Sequence, residues 1–154
     1  MSERRELISN SADETFQLGE SIGRELHGGE IILLTGGLGA GKTLFTKGVL
    51  NALDFDVDDV TSPSFTLVNL YPTPAFDVYH IDLWRTGDSE DAAFAVGLDD
   101  ILENERAVVI IEWAEKLTSS QFDSPVISIS ITGDGDEPRA IAIETLEQSG
   151  RVAV

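Results

Sequence analysis

The chain has 154 residues, 42% of them hydrophobic, which is enough for a globular domain with a real core. It contains no cysteine, which excludes disulfides and thiolate chemistry. Its 28 acidic residues against 10 basic ones give a formal net charge of -18, which repels nucleic acids and anionic membranes at long range. No run is long and apolar enough to span a membrane and no signal peptide is visible, so we expect a cytoplasmic protein.

The first predicted element is a helix that begins at Ser11 with the capping-box pattern S-x-x-E. Its apolar residues recur at three- and four-residue steps as far as Leu26, and the glycines after His27 end it. We expect residues 11–146 to form a single domain, with short, loose tails at 1–10 and 147–154.

A glycine-rich loop follows the next predicted strand, residues 31–34, and precedes a helical stretch over 42–53. Residues 36–43 match G-x-x-x-x-G-K-T, the phosphate-binding P-loop, in the strand–loop–helix context that this site requires. We expect Lys42 to bind the β- and γ-phosphates and Thr43 to place its hydroxyl on Mg²⁺. The guanine-reading motif N-K-x-D is absent from the sequence, so ATP is the expected nucleotide. The expected nucleotide-binding residues are Gly36, Gly37, Leu38, Gly39, Ala40, Gly41, Lys42, Thr43 and Leu44.

The rest of the chain alternates further strands with short helical segments. Strands are predicted at 65–71, 77–83, 107–111, 126–131 and 140–143, and short helices near Ser89 and Gly97. Strands that alternate with helices predict an α/β fold, here a three-layer sandwich of P-loop NTPase type around a central, largely parallel sheet.

Two acidic residues stand at the ends of predicted buried strands, Asp82 after residues 78–81 and Glu112 after 107–111. Ligands of open α/β sheets bind beyond the carboxyl ends of the strands, so both acids are expected to face the P-loop. One could hold Mg²⁺ and the other could orient or deprotonate the attacking water, and the sequence leaves open which does which. Taken singly, each could instead be a solvated acid at a strand end.

Several other residues have both a functional and a structural interpretation. A loop with Ser62 and Ser64 could be a switch segment beside the γ-phosphate or an ordinary turn. His80, within a strand, is expected to be a packed core residue and not a ligand. Three residues near the acids, Trp84, Arg85 and Trp113, could contact a partner or could serve core packing and a surface ion pair.

Four motifs in series resemble the bacterial TsaE (YjeE) family, the small ATPase of tRNA threonylcarbamoyladenosine (t6A) synthesis. They are the P-loop, S-P-S-F-T-L-V from Ser62, H-I-D-L-W-R from His80, and I-E-W-A-E from Ile111, and the resemblance extends over residues 11–144. The P-loop motif is generic, whereas the other three in this order are specific.

The resemblance implies roles for individual residues. Lys42 binds phosphate and Thr43 binds magnesium, while Asp82 is the Walker B-like aspartate. Glu112 is implicated in Mg²⁺ binding and hydrolysis, so that Lys42, Asp82 and Glu112 form the expected catalytic set. Ser11 matches a position near the nucleotide, and residues 62–64 match the switch-like loop.

The resemblance also implies partners. The family's ATPase joins TsaD and TsaB, and TsaD transfers the threonylcarbamoyl group to an adenosine of tRNA. Hydrolysis by the ATPase is thought to reset this complex between turnovers. This chain has Gly37 where aspartate is common and Trp84 where tyrosine is common, and neither departure removes a group that hydrolysis requires.

Two other functions remain open for a P-loop protein of this kind. A small-molecule kinase usually carries a lid whose arginines clamp the transferred phosphoryl group, and the arginines here are scattered along the chain. A non-catalytic switch would bind ATP and change its affinity for a partner without turnover. Phosphorylation of a small acceptor would favour the kinase. Partner activation that survives Glu112→Ala while hydrolysis stops would favour the switch.

We predict that the isolated chain does not bind tRNA, since a net charge of -18 opposes the phosphate backbone. The measurement is a gel shift with folded tRNA at low and moderate salt, with a basic RNA-binding domain as positive control. A tRNA band that shifts with this chain alone, and loses the shift as salt is added, would contradict the prediction.

Overall fold

A computed structural model of the chain describes residues 2–37, 40–61, 68–83, 98–113 and 125–146. The helices and strands within these ranges follow one another along the chain. They are β1 (Ser2–Ser9), α1 (Ala12–Arg24), β2 (Ile31–Thr35), α2 (Lys42–Ala52), a 3₁₀ turn (Val57–Asp59), β3 (Val68–Pro72), β4 (Asp77–Asp82), α3 (Leu98–Leu102), β5 (Ala107–Glu112), β6 (Val126–Thr132) and β7 (Arg139–Leu146).

The strands form one seven-stranded sheet in the order β1-β7-β6-β2-β5-β4-β3. The α/β class is confirmed, but the expectation of a largely parallel sheet is wrong. β2 is parallel to β5 and β6, and β4 is parallel to β5, whereas the other three neighbouring pairs are antiparallel. The reason is the length of the connections, because residues 73–76 and 133–138 are too short for the crossover that parallel neighbours need.

The N-terminal segment is part of this sheet, and the expectation of a loose tail over residues 1–10 is wrong. β1 pairs antiparallel with β7 along its whole length, from Ser2 opposite Leu146 to Ser9 opposite Arg139. Half of its residues are charged, so backbone pairing and the packing of Leu7 against the core hold a strand that hydropathy does not reveal. The predicted tail at 147–154, the helix near Ser89 and strand residues 65–67 lie outside the described residues.

The centre of the sheet is the most apolar part of the protein. β5 is buried at every position and its four central residues are all β-branched, as is typical of a parallel strand covered on both faces. On one face Leu34 packs with Phe45 of α2, and on the other Ile111 packs with Leu102 of α3. Helices therefore lie against both faces, in agreement with the expected layered architecture.

The predicted cap of α1, Ser11, is confirmed, but the return bond from Glu14 goes to the residue before the cap and not to the cap itself. The Ser11 hydroxyl accepts a hydrogen bond from the Glu14 backbone N–H at 3.1 Å, and the Glu14 carboxylate accepts one from the Asn10 N–H at 2.8 Å. Across the described ranges, no helix has both the length and the apolar character that crossing a membrane requires.

Glycines bring α1 and α2 into backbone contact. A Cβ added at Gly48 would lie 2.1 Å from the carbonyl oxygen of Phe16, and one added at Gly19 would lie 2.2 Å from that of Phe45. Neither distance is possible for a real side chain, so the two helices can approach this closely only with glycine at both positions. This contact fixes α2, whose first turn is the end of the P-loop.

We therefore predict that Gly48→Ala destabilises the protein. The better helix propensity of alanine contributes about 1 kcal/mol in its favour, but the clash against rigid backbone should cost roughly 3 kcal/mol. The net loss should lower the melting temperature by several degrees, measured by differential scanning calorimetry. Ser21→Ala, at an exposed position of α1, is the control and should change little. A Gly48→Ala chain as stable as the wild type would contradict the close helix contact.

Candidate functional site

The P-loop lies at the carboxyl end of β2, where the chain turns into α2. Gly36 has φ +144°, and a Cβ there would lie 2.3 Å from the carbonyl oxygen of Ile131. Gly41 caps α2 with φ +114°, and no side chain of the described residues caps this helix end. Both positions require glycine, and the helix presents its N-terminal N–H groups at the loop. Leu38 and Gly39 lie outside the described residues.

Lys42 is held across the mouth of this loop. The residue is only 6% exposed, its Nζ donates to the Gly36 carbonyl oxygen at 2.6 Å, and Nζ lies 3.8 Å from the centre of the Trp113 ring. Both of these partners are uncharged, so an anionic phosphate offers the ammonium group a stronger partner. The structure thus places the predicted phosphate-binding lysine at the loop.

Trp113 belongs to the site itself. It follows β5 directly and has φ +61°, a left-handed conformation that is unusual for a bulky residue. It is partly buried and packs against the apolar cluster on the α3 face of the sheet, while its ring also carries the Lys42 ammonium group. Its contacts here are therefore with the P-loop lysine and the core. Trp84 and Arg85, the other two residues considered for partner contact, lie outside the described residues.

The two predicted acids are neighbours at the carboxyl edge of the sheet. Asp82 and Glu112 are the last residues of β4 and β5 and face each other in register. Glu112 is also in register with Leu34 of β2, the strand that leads into the P-loop. Their exposures are 2% for Asp82 and 3% for Glu112. The strand register therefore brings both carboxylates to the edge of the sheet at which β2 leads into the P-loop.

Glu112 has a buried partner that the sequence did not reveal. The Nε2 atom of His80 lies 2.5 Å from Glu112 Oε2, and His80 is fully buried. The interpretation of His80 as a packed core residue is confirmed. Its second ring nitrogen, Nδ1, is buried and has no hydrogen-bond partner within the part of the chain that the structure describes. The available signal was the H-x-D spacing, which places His80 and Asp82 on the same face of β4.

The donor set fits Mg²⁺. Carboxylate and hydroxyl oxygens are its preferred ligands, and Asp82, Glu112 and the α2 first-turn residue Thr43 supply them. The described residues contain no group of three or more acidic or histidine side chains able to hold a metal ion. Mg²⁺ commonly takes one or two protein carboxylates and completes its shell with phosphates and water, so a pair of acids would be enough to hold it.

A cavity of about 340 Å³ opens beside the P-loop, which is within the usual range for small-molecule sites. It lies between the start of α1, the loop and the hairpin that joins β6 to β7. Four predicted residues line it, namely Ser11, Ala40, Gly41 and Leu44. The sequence did not predict its other walls, which are Asn10, Ala12, Thr15, Gly135, Asp136, Glu137 and Arg139.

Arg139 ties the hairpin to the P-loop. Its Nε donates to the Ala40 carbonyl oxygen at 3.1 Å and its Nη2 to the Gly135 carbonyl oxygen at 3.1 Å. Its Nη1 donates to the carbonyl oxygen of Glu137. One guanidinium group thus closes the side of the cavity. The signal in the sequence was a single arginine after an acidic turn, which is too common a pattern to identify a site.

The predicted switch residues, Ser62 and Ser64, lie outside the described residues.

Comparisons with known proteins agree on one family. The family model for the threonylcarbamoyl adenosine biosynthesis protein TsaE matches residues 9–141. A tRNA threonylcarbamoyladenosine biosynthesis protein TsaE of Treponema pallidum (strain Nichols) is 35% identical over 136 residues, which is 88% of this chain and 98% of that protein. The protein of that name from Aquifex aeolicus is 39% identical over 113 residues, 73% of this chain and 78% of its own length.

A solved structure is similar as well. The crystal structure of Bacillus subtilis YdiB superposes with a TM-score of 0.71 at 26% sequence identity. The superposition covers 97% of this chain and 90% of that one.

Proposed function

This chain belongs to the TsaE family of tRNA threonylcarbamoyladenosine biosynthesis proteins, and from that premise we propose that it is a Mg²⁺-dependent ATPase of this process. The observation that carries the proposal is the pairing of Asp82 with Glu112 in register beside the strand that leads into the P-loop. A loop that binds only phosphate has no need of two buried carboxylates at its edge, whereas metal-assisted hydrolysis needs both.

Phosphate binding is assigned to the loop and to Lys42. Backbone N–H groups at the start of α2 face the phosphates, and the helix dipole favours the same negative charge. Lys42 exchanges the Gly36 carbonyl oxygen and the Trp113 ring for the β- and γ-phosphates. The shift is local, because its present hydrogen bond already lies within the P-loop.

Magnesium binding is assigned to Thr43 together with one of the two acids, Asp82 or Glu112. The bound ion supplies charge neutralisation for the phosphate oxygens as negative charge moves toward the leaving group. The acid that does not ligate the ion orients the attacking water and accepts its proton. The water oxygen bonds to the γ-phosphorus, the bond from that phosphorus to the bridging oxygen breaks, and ADP leaves with the bridging oxygen.

The nucleoside is assigned to the cavity between the start of α1 and the β6–β7 hairpin. Ser11, Ala40 and Leu44 connect its wall directly to the phosphate-binding loop, so a bound ATP can extend from one into the other. Adenosine is proposed over guanosine because the sequence has no guanine-reading motif.

Partners are proposed on the family premise. We propose that this ATPase binds the TsaD and TsaB proteins in the cytoplasm. That complex, and not this chain, would bind the tRNA. The net charge of -18 supports this division of roles, because it disfavours direct contact with the RNA backbone. Residues Trp84 and Arg85 are proposed contacts for these proteins.

We predict slow ATP hydrolysis by the chain alone and faster hydrolysis with TsaD and TsaB, measured as phosphate release with and without Mg²⁺. Lys42→Ala should lower both rates by about 100-fold or more, because it removes the charge that stabilises the transferring phosphoryl group. Lys47→Ala, a partly buried lysine on the same helix, is the matched control and should keep both rates.

Three outcomes would overturn parts of the proposal. Hydrolysis that survives Lys42→Ala would exclude this loop as the active site. A hydrolysis rate that does not change when TsaD and TsaB are added would exclude the proposed partners. Phosphate transfer to a small acceptor instead of water would make the protein a kinase.

A further inference from the structure

His80 and Glu112 form a buried polar contact at the edge of the apolar core. His80 stands in the middle of β4, in register with Ile110 of β5, and its ring also lies 6.0 Å from that of Tyr71. His80 is fully buried and Glu112 is 3% exposed. Burying two polar groups side by side is a poor way to stabilise a core, because apolar residues of similar volume are often as good or better. Stabilisation of the core therefore does not explain why His80 and Glu112 are buried together.

The hydrogen bond between an ionised Glu112 and His80 can run in one direction only. A carboxylate only accepts, so the ring donates from Nε2 to Glu112 Oε2. The other ring nitrogen, Nδ1, is buried and has no hydrogen-bond partner among the described residues. Under the opposite tautomer both Nε2 and Oε2 would be acceptors at 2.5 Å, which is repulsive.

This contact restricts how Glu112 presents its carboxylate. Oε2 is occupied by the ring, while Oε1 has no hydrogen-bond partner among the described residues and is not among the fully buried unpartnered atoms. A glutamate side chain has several rotatable bonds, and a rigid donor on a central strand removes most of that freedom. Oε1 is thus the oxygen left for a ligand, held in one orientation.

We propose that His80 is a positioning residue that orients Glu112 for the Mg²⁺–nucleotide complex. The proposal rests on the proposed function in one respect, namely that Glu112 belongs to the magnesium site. His80 itself touches neither nucleotide nor metal. Its role is to donate one hydrogen bond from Nε2. This bond orders the Glu112 side chain before the ion binds, so that ion binding costs less conformational entropy.

The test uses a matched pair of variants. Glutamine reaches far enough to place an N–H where Nε2 of His80 lies, whereas asparagine places its N–H near the position of Nδ1, which has no partner. His80→Gln should therefore keep the bond to Glu112, and His80→Asn should lose it. Val78→Ala, at an equally buried position on the same face of β4, is a control for general loosening of the core.

The readout is ATP affinity by calorimetry in EDTA and in excess Mg²⁺, with melting temperatures recorded for every chain. In EDTA, His80→Asn should bind ATP as tightly as the wild type. In excess Mg²⁺, the increase in ATP affinity should be smaller than in the wild type by about 10-fold or more, which is the range known for residues that hold metal ligands in place. His80→Gln and Val78→Ala should keep that gain. The half-saturating Mg²⁺ concentration for hydrolysis should rise in His80→Asn alone.

The outcomes separate this proposal from the function on which it rests. A wild type that gains no ATP affinity from Mg²⁺ overturns both. A wild type that gains affinity, with the same gain in His80→Asn, overturns the positioning role alone. An equal loss in His80→Gln and His80→Asn also overturns it, because the hydrogen bond would then not be the cause. Should His80→Asn not fold, His80→Leu, which matches glutamine in size and has no donor, replaces it in the comparison.

Discussion

Parallel pairing of β4, β5 and β2 is the constraint on which the site depends. Parallel neighbours bring their carboxyl ends to the same edge, so the register that sets Asp82 opposite Glu112 and Glu112 opposite Leu34 also sets the distance of both acids from the P-loop. A slip of one residue would turn each acid to the other face of the sheet. The continuous burial of β5 disfavours such a slip. A shift of this strand would expose apolar side chains at one end or bury polar residues at the other.

The same edge concentrates charged groups in an apolar setting. Lys42, Asp82 and Glu112 are each at most 6% exposed, a burial that charged side chains tolerate only with partners. Lys42 donates a hydrogen bond to the Gly36 carbonyl oxygen and contacts the Trp113 ring, and Glu112 is hydrogen-bonded to His80. The Gly36 carbonyl oxygen and the Trp113 ring are uncharged, and a phosphate would be a stronger partner for the Lys42 ammonium group than either of them.

The sequence was most informative where chemistry demands particular residues in a short segment. The P-loop and the strand-end acids were identified because glycine, lysine and carboxylate positions are dictated by phosphate and metal. β1 was missed because an edge strand in which half of the residues are charged has no clear hydropathic signal. Arg139 and His80 were missed as site residues because their partners, Ala40 and Glu112, are 99 and 32 residues away in sequence. Only the three-dimensional pairing of strands makes such contacts visible.

The central claim is that the loop, its lysine and the paired acids form one Mg²⁺–ATP site. The most direct test is a crystal structure with Mg²⁺ and a non-hydrolysable ATP analogue. We predict a triphosphate on residues 36–43, with Lys42 Nζ moved from the Gly36 oxygen to a phosphate and the ion beside Thr43 and at least one of Asp82 and Glu112. A triphosphate bound elsewhere, or a Lys42 that keeps its 2.6 Å bond to Gly36 with the analogue in place, would contradict the account.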